Sequence, residues 1–211
     1  MDGYLGNVYR LIVQQPARGG NYRFTLGGAI RLNSEENGGK MELGEGLTRW
    51  TIRIALALLF FCCAGRQLAG EDRRWQTLER LLWPLGCGFF LTHIAAAIHF
   101  FHHDSQAEAY ADIARQTQEA LGAAVGEGLY VNYLMAIVWT ADAAWLALAP
   151  QSYRRRSGWI EAAVLCFFLF IAFNGLVIFK SGWLRVFGIA ATLVVAASAG
   201  WRAWQKTERK V

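Results

Sequence analysis

The chain of 211 residues lacks the short motifs on which many soluble enzymes depend. It contains neither a phosphate-binding glycine loop nor a nucleophile elbow. Its four cysteines do not form a C-x-x-C pair, the spacing that binds zinc or carries out disulfide exchange. All of them lie within apolar segments, where a free thiol packs as a small hydrophobic side chain: Cys62, Cys63, Cys87 and Cys166. The sequence therefore predicts structural cysteines and no catalytic residue.

Charged residues make up only 18% of the chain, whereas hydrophobic residues make up 55%. The formal net charge is +5 and the isoelectric point is about 9.2, yet the basic residues form short clusters beside apolar segments. Such clusters are typical of the loops of membrane proteins. We therefore expect the lipid bilayer as the main partner, together with other membrane subunits or a second copy of the chain, and no nucleic acid.

The apolar residues are concentrated after Trp50, in runs separated by charged patches. A helix that crosses a bilayer requires about 17–25 mainly apolar residues. Five segments fit this description, although the first has only a short uninterrupted apolar part, Ile54–Gly65. The predicted fold is an all-α integral membrane bundle with five transmembrane helices: Trp50–Gly65, Leu81–Phe101, Leu129–Leu148, Trp159–Phe179 and Trp183–Trp201.

The predicted membrane domain covers residues 50–204, and the segments on either side of it are polar. Residues 1–49 are glycine-rich and predict a flexible N-terminal extension, in which Met41 is an alternative translation start. Residues 205–211 predict a basic cytoplasmic tail. The short first span also fits a signal peptide. Cleavage there would place the arginines at 154–156 outside the cell, so we prefer an uncleaved first span.

The basic clusters predict the orientation of the spans, because lysine and arginine in short loops stay on the cytoplasmic side. Residues 66–80, 154–156 and 202–210 are rich in arginine and lysine, whereas residues 104–127 are rich in carboxylates. The N-terminus is therefore predicted outside and the C-terminus inside, with the inner membrane of a bacterium as the location. Tryptophans cluster at the predicted span ends, as interfacial indoles do; Trp139, in mid-span, is the exception.

The loop after the second span predicts a short helix of its own. Ser105 and Glu108 have the S-x-x-E spacing of a capping box, and Gly122 marks an end. Asp104, Glu108 and Asp112 recur every four residues along one face. The pattern indicates an amphipathic helix with an acidic face, lying in the outer loop.

The stretch HFFHHD, residues 99–104, indicates a metal site as one hypothesis. His99 and His103 are four residues apart, so a helix would place them on one face, with His102 to one side. A single transition-metal ion could take these imidazoles together with the carboxylate of Asp104 or Glu108.

Two further cofactor hypotheses fit the histidines less well. H-x-x-H-H resembles one histidine box of the membrane-bound di-iron desaturases and hydroxylases, but that family uses about eight histidines in three boxes and this chain has four on one segment. Haem ligation requires axial groups that converge from facing helices. The sequence therefore assigns no cofactor firmly; a transition metal is the first alternative, and a haem is less favoured.

Polar residues inside the spans predict a pocket, because an ionisable side chain at the bilayer centre costs at least about 2.5 kcal/mol and usually faces other helices or water. At 1.5 Å rise per residue, four of these residues fall in the outer half of the bundle and the fifth lies deeper: His93, His99, Asn132 and Asn174, followed by Asp142. The sequence therefore predicts an intramembrane polar pocket that opens outward.

One family resemblance rests on three stretches within residues 81–180: HIAAAIHFFHHDSQAEAYADIARQT, GEGLYVNYLMAIVWTADAAWLAL and FIAFNGLVIF. In this order they resemble a family of bacterial integral membrane proteins with no established activity. The resemblance implies a bacterial inner-membrane location and assigns no site residue.

Together these observations predict a multi-pass inner-membrane protein whose outward-facing histidine pocket binds a ligand or supports a complex, without catalysis. Two alternatives stay open. One is a metal- or haem-dependent redox component that uses His93, His99, His102 and His103. The other is a transporter of a small solute or of protons, in which His93 and Asp142 would be stations on the path.

Overall fold

The computed structural model describes the backbone of residues 27–69 and 72–208. Across these residues the chain forms helices joined by turns, with no β-strand. The helices are α1 (Gly27–Ala69), α2 (Arg73–Phe101), α3 (Gln106–Leu121), α4 (Gly128–Leu148), α5 (Pro150–Arg154), α6 (Gly158–Phe173) and α7 (Trp183–Glu208). α6 continues directly into a π-helical turn, Asn174–Ile178. The all-α class is confirmed.

Five of these helices are long and apolar enough to cross a membrane. Their candidate spans are Glu42–Ala69, Arg73–Phe101, Gly128–Leu148, Gly158–Ile178 and Trp183–Gln205. The helices extend beyond several of the predicted spans: α1 begins at Gly27 rather than at Trp50, and α2 begins at Arg73 rather than near Leu81. Apolar content marks only the part of a helix that lies in hydrocarbon, whereas the helix itself continues through the headgroup layer.

The chain divides into two compact units, Met1–Gly39 and Lys40–Val211. Of the first unit, the structure describes residues 27–39, which are helical and belong to α1. Part of the segment predicted as a flexible extension is therefore helix. Residues 1–26 lie outside the described residues, as do the last three residues of the predicted basic tail.

Side-chain caps fix where three helices begin. The Asp72 carboxylate accepts hydrogen bonds from the backbone N–H groups of Arg74 and Trp75, at 2.6 and 3.1 Å. Ser157 caps α6 through the Trp159 N–H, at 3.3 Å. Ser105 accepts from the Glu108 N–H at 3.2 Å, and Gly122, with a φ of 77°, ends the same helix. These side chains satisfy backbone donors that a helix leaves unpaired in its first turn.

The five spans of the second unit pack as a bundle. α2 contacts α4, α4 contacts α6, and α6 contacts α7. α1 completes the bundle, because Phe60 packs edge-on against Phe187 of α7 at 6.2 Å between ring centroids. A Cβ atom at Gly86 of α2 would meet the Cβ of Leu58 at 3.2 Å, so the missing side chain allows α1 and α2 to approach closely.

An aromatic layer of four buried rings fills the centre of the bundle: Trp83 and Phe90 of α2, Trp139 of α4, and Phe168 of α6. Trp139 contacts the other three rings at centroid distances of 5.1 to 5.6 Å. Their tilted arrangements are those that aromatic quadrupoles favour. The layer therefore ties three spans together at mid-height.

Replacing Phe168 with alanine removes one ring from this layer and leaves a void that its rigid neighbours cannot close. We expect the free energy of unfolding to fall by about 3–5 kcal/mol, measured by denaturant titration of the purified protein in detergent. Phe170→Ala is the matched control, because Phe170 lies on the same helix and is 63% exposed at the bundle surface. Equal losses for the two variants would contradict a packing role for the aromatic layer.

Candidate functional site

Asp142 of α4 is the centre of a buried polar cluster. Its carboxylate is 5% exposed and accepts three hydrogen bonds. The donors are Nε1 of Trp83 at 2.8 Å, the hydroxyl of Tyr153 at 2.8 Å, and Nη1 of Arg156 at 2.6 Å. They come from α2, from α5 and from the turn after α5. A buried carboxylate needs such donors, because an unpaired charge is strongly destabilised away from water.

The short helix α5 brings two of these donors back to α4. Pro150 begins α5 immediately after α4 ends at Leu148, and proline is well suited to the first helical position. The reversal places Tyr153 and Arg156 beside Asp142, and the Arg156 guanidinium lies 3.9 Å from the centroid of the Tyr153 ring. Burial raises the pKa of the Tyr153 hydroxyl. Tyr153 therefore stays protonated and donates to Asp142.

Arg66, near the end of α1, connects a second buried carboxylate to the cluster. Its Nε donates to Glu79 of α2, which is 3% exposed. Its Nη2 lies 3.7 Å from Asp142 Oδ2, and its guanidinium lies 4.0 Å from the centroid of the Trp83 ring. The guanidinium thus stands between two carboxylates and over an aromatic face, an arrangement that stabilises a desolvated cation.

A second ion pair joins the ends of the remaining spans. Arg202 of α7 donates to Glu161 of α6 at 2.6 Å and to the side chain of Gln67 of α1 at 3.2 Å. Both charged side chains are slightly more than a quarter exposed. We call this side of the bundle, where α1, α4 and α7 end and α2 and α6 begin, the arginine end.

The polar residues at the arginine end surround a cavity of about 360 Å³. It is lined by five arginines together with two carboxylates, two aromatic residues and one amide: Arg66, Arg73, Arg154, Arg156, Arg202, Glu79, Glu161, Trp75, Tyr153 and Gln76. Counting Asp142, which pairs with Arg156, five guanidinium groups face three carboxylates. Two positive charges are left over, so the cavity is chemically suited to an anion.

At the opposite side of the bundle, which we call the histidine end, α2 ends and α3 begins. His99 Nδ1 lies 3.2 Å from Asp104, and His103 Nδ1 lies 3.0 Å from Glu108. The imidazoles of His99 and His103 are 63% and 81% exposed. His102 is half-buried. Each of the two exposed histidines thus pairs with a different carboxylate.

These pairs do not assemble into a metal site. Among the residues that the structure describes, no group of three or more histidine, cysteine or acidic side chains is placed to hold a metal ion. The turn itself explains the separation, since His103 and Asp104 take positive φ angles of 47° and 58°. The helix therefore stops before His103, and the predicted common helical face of His99 and His103 ends there.

The residues of the predicted intramembrane pocket also separate. His93 Nδ1 lies 2.9 Å from the Thr48 carbonyl oxygen of α1. Asn174 donates to the Phe170 carbonyl oxygen one turn earlier, at 2.7 Å, and Asn132 is half-buried. Asp142 belongs to the arginine end instead.

The aromatic layer lies between His93 and Asp142. The ring centroid of Phe90 lies 6.5 Å from that of His93 and 5.6 Å from that of Trp139. Trp139 in turn packs on Trp83, whose indole N–H reaches Asp142. Along this line the space is filled by buried rings rather than by polar groups, an arrangement that opposes proton or ion passage between the two residues.

The arginine end was not among the predicted site residues, apart from Asp142. The sequence predicts its arginines only as an orientation signal, and Glu79 falls within the basic segment 66–80 that is predicted as a loop. The sequence does contain a signal for this site. An aspartate near one end of a span requires hydrogen-bond donors, and the basic clusters at 66–80 and 154–156 are predicted on that same side. The combination of a buried aspartate and basic clusters at the same end indicates Arg66 and Arg156 as its donors.

In comparisons with models of known protein families, with curated proteins and with solved structures, nothing matches the chain. The resemblance to a bacterial membrane family therefore stays an expectation, and the site is interpreted from its own geometry.

Replacing Asp142 with alanine leaves Arg156 and Arg66 without their buried counter-charge and the Trp83 N–H without an acceptor. Breaking a buried ion pair on one side typically costs about 3–5 kcal/mol, and we expect a loss of that size in the free energy of unfolding in detergent. Asp142→Asn keeps the shape of the side chain and one acceptor oxygen, so a smaller loss in the free energy of unfolding is expected.

Asp104→Ala is the control for this prediction, because Asp104 also pairs with a nitrogen-bearing side chain, His99, but is 68% exposed. Exposed pairs contribute little to stability, so no measurable change is expected. If Asp142→Ala were as mild as the control, the cluster would not be a structural centre of the fold.

Proposed function

We propose that the protein is a multi-pass component of the bacterial inner membrane that binds an anionic ligand at its arginine end and catalyses no reaction. The observation that carries this proposal is the cavity of about 360 Å³, which is lined by five arginines and two carboxylates, with Asp142 behind Arg156 as a third carboxylate. Small-molecule sites begin at about 300 Å³, so the space is sufficient for one compact ligand.

The charge distribution supports an orientation as well as a site. Loops that carry arginine and lysine stay in the cytoplasm, and the arginine end contains residues 66–80, 154–156 and 202–205. We therefore place the arginine end in the cytoplasm, and the histidine end with its acidic helix α3 outside. The ligand then comes from the cytoplasm or from the inner leaflet.

Arginine is suited to this role because its planar guanidinium binds carboxylate and phosphate oxygens in pairs. Arg66 and Arg156 are already committed to Glu79 and Asp142. Arg154 is 3.9 Å from Glu79, beyond hydrogen-bond distance. Arg73 is exposed and has no carboxylate partner among the described residues. Arg73 and Arg154 are therefore the side chains most available to a ligand.

The histidine end supports binding less well. The imidazole of His93 and the amide of Asn174 each hydrogen-bond to a backbone carbonyl, while His99 and His103 pair with neighbouring carboxylates in solvent. Of these contacts, only that of His93 with Thr48 joins two spans, and interhelical polar contacts contribute about 0.6 kcal/mol on average. They stabilise packing and leave few donors for an outward-facing pocket.

Anion binding is tested by the melting temperature of the purified protein in detergent. At constant ionic strength, replacing chloride with phosphate or sulfate should raise the melting temperature of the wild type, because a ligand at one hundred times its Kd stabilises the folded state by about 2.7 kcal/mol. Arg73→Gln/Arg154→Gln should lose this increase.

Arg80→Gln is the matched control, since Arg80 is an exposed arginine of α2 at the same end that does not line the cavity. It should respond to phosphate as the wild type does. An identical response in all three proteins would show that the cavity does not bind the anion.

A further inference from the structure

The height of the cavity in the membrane indicates the source of its ligand. The span of α2, Arg73–Phe101, has 29 residues, which at 1.5 Å per residue gives a length of about 44 Å. That length matches a bilayer including its headgroup layers, about 40–45 Å, rather than the hydrocarbon core of about 30 Å. Arg66 lies three residues before the end of the α1 span at Ala69, and Arg202 lies three residues before the end of the α7 span at Gln205. Both are thus about 5 Å inside the ends of their spans, a position that fits the depth of lipid phosphates.

The side chains of the cavity divide into a fixed floor and an open rim. The Arg66 and Arg156 side chains are 11% and 5% exposed and are bound to Glu79 and Asp142. The Arg154 side chain is 27% exposed and Arg73 is exposed. The floor therefore holds its charges in place, whereas the rim can adjust to a headgroup.

Two buried donors on residues that line this cavity have no hydrogen-bond partner among the described residues: Nη2 of Arg66 and Nε1 of Trp75. Buried donors in folded proteins are nearly always satisfied. An acceptor with several oxygens, such as a phosphate, would supply partners after a small adjustment of either side chain.

We propose that the cavity holds the phosphate headgroup of an anionic phospholipid from the inner leaflet, with Arg73 and Arg154 as its principal contacts. This inference rests on the anion site and on the orientation proposed above. Basic pockets between transmembrane helices on the cytoplasmic side are suited to such headgroups. The two surplus positive charges favour phosphatidylglycerol or cardiolipin over phosphatidylethanolamine, whose ammonium group would meet the arginines with like charge.

The test is native mass spectrometry of the full-length protein, purified in detergent and incubated with equal amounts of phosphatidylglycerol and phosphatidylethanolamine. The wild type should retain phosphatidylglycerol in preference. Because a basic residue near the lipid surface contributes about fivefold in affinity, Arg73→Gln/Arg154→Gln should reduce retention at least tenfold. Arg80→Gln should retain lipid as the wild type does. Arg73→Lys/Arg154→Lys keeps both positive charges and should restore most of the retention, provided that the loss in the double glutamine variant comes from the missing charges and not from misfolding.

The outcomes separate the lipid from the anion site. Equal retention of the two lipids, or retention that the double variant leaves unchanged, would overturn the lipid assignment. Stabilisation by free phosphate without lipid retention would overturn it too, while leaving the anion site intact. If neither phosphate nor phosphatidylglycerol binds, both proposals fail. A double variant with unaltered circular dichroism and reduced retention supports the assignment.

Discussion

The burial of the Asp142 carboxylate is the constraint on which the arginine end depends. An isolated carboxylate away from water is destabilised by several kcal/mol, and here the compensation comes from donors on α2, on α5 and on the turn after it. Each donor can reach Asp142 only if its own helix is correctly placed. One charge therefore specifies the relative positions of several elements, and Glu79 with Arg66 extends the same requirement to α1.

Trp83 connects this charged cluster to the apolar centre of the bundle. Its ring packs on Trp139 and Phe168 within the aromatic layer, while its N–H donates to Asp142. The layer shields the cluster from the other half of the bundle, and exclusion of water strengthens each ion pair. Trp83 thus takes part both in the packing of the aromatic layer and in the hydrogen bonding of Asp142. A change in the layer that shifts the Trp83 ring therefore also changes its hydrogen bond to the carboxylate.

The sequence predicted the spans well because apolar length is a one-dimensional property. It also singled out Asp142, whose charge is costly in an apolar run. It could not show which residues share a site, because depth along a helix says nothing about rotation around it. The predicted pocket includes both His93 and Asp142, yet buried rings lie between them. Trp139, noted only as an exception to the interfacial pattern, proved to be the centre of the aromatic layer.

Orientation alone does not explain the arrangement of the arginines. Arg74 and Arg80 are exposed and do not line the cavity, and exposed arginines are as effective an orientation signal as buried ones. Arg66 and Arg156, by contrast, are nearly buried, which carries a desolvation cost that a topology signal does not require. The three carboxylates at this end offset three guanidinium groups and leave two. The convergence of the two surplus charges on one cavity favours the proposed anion site over a role in orientation alone.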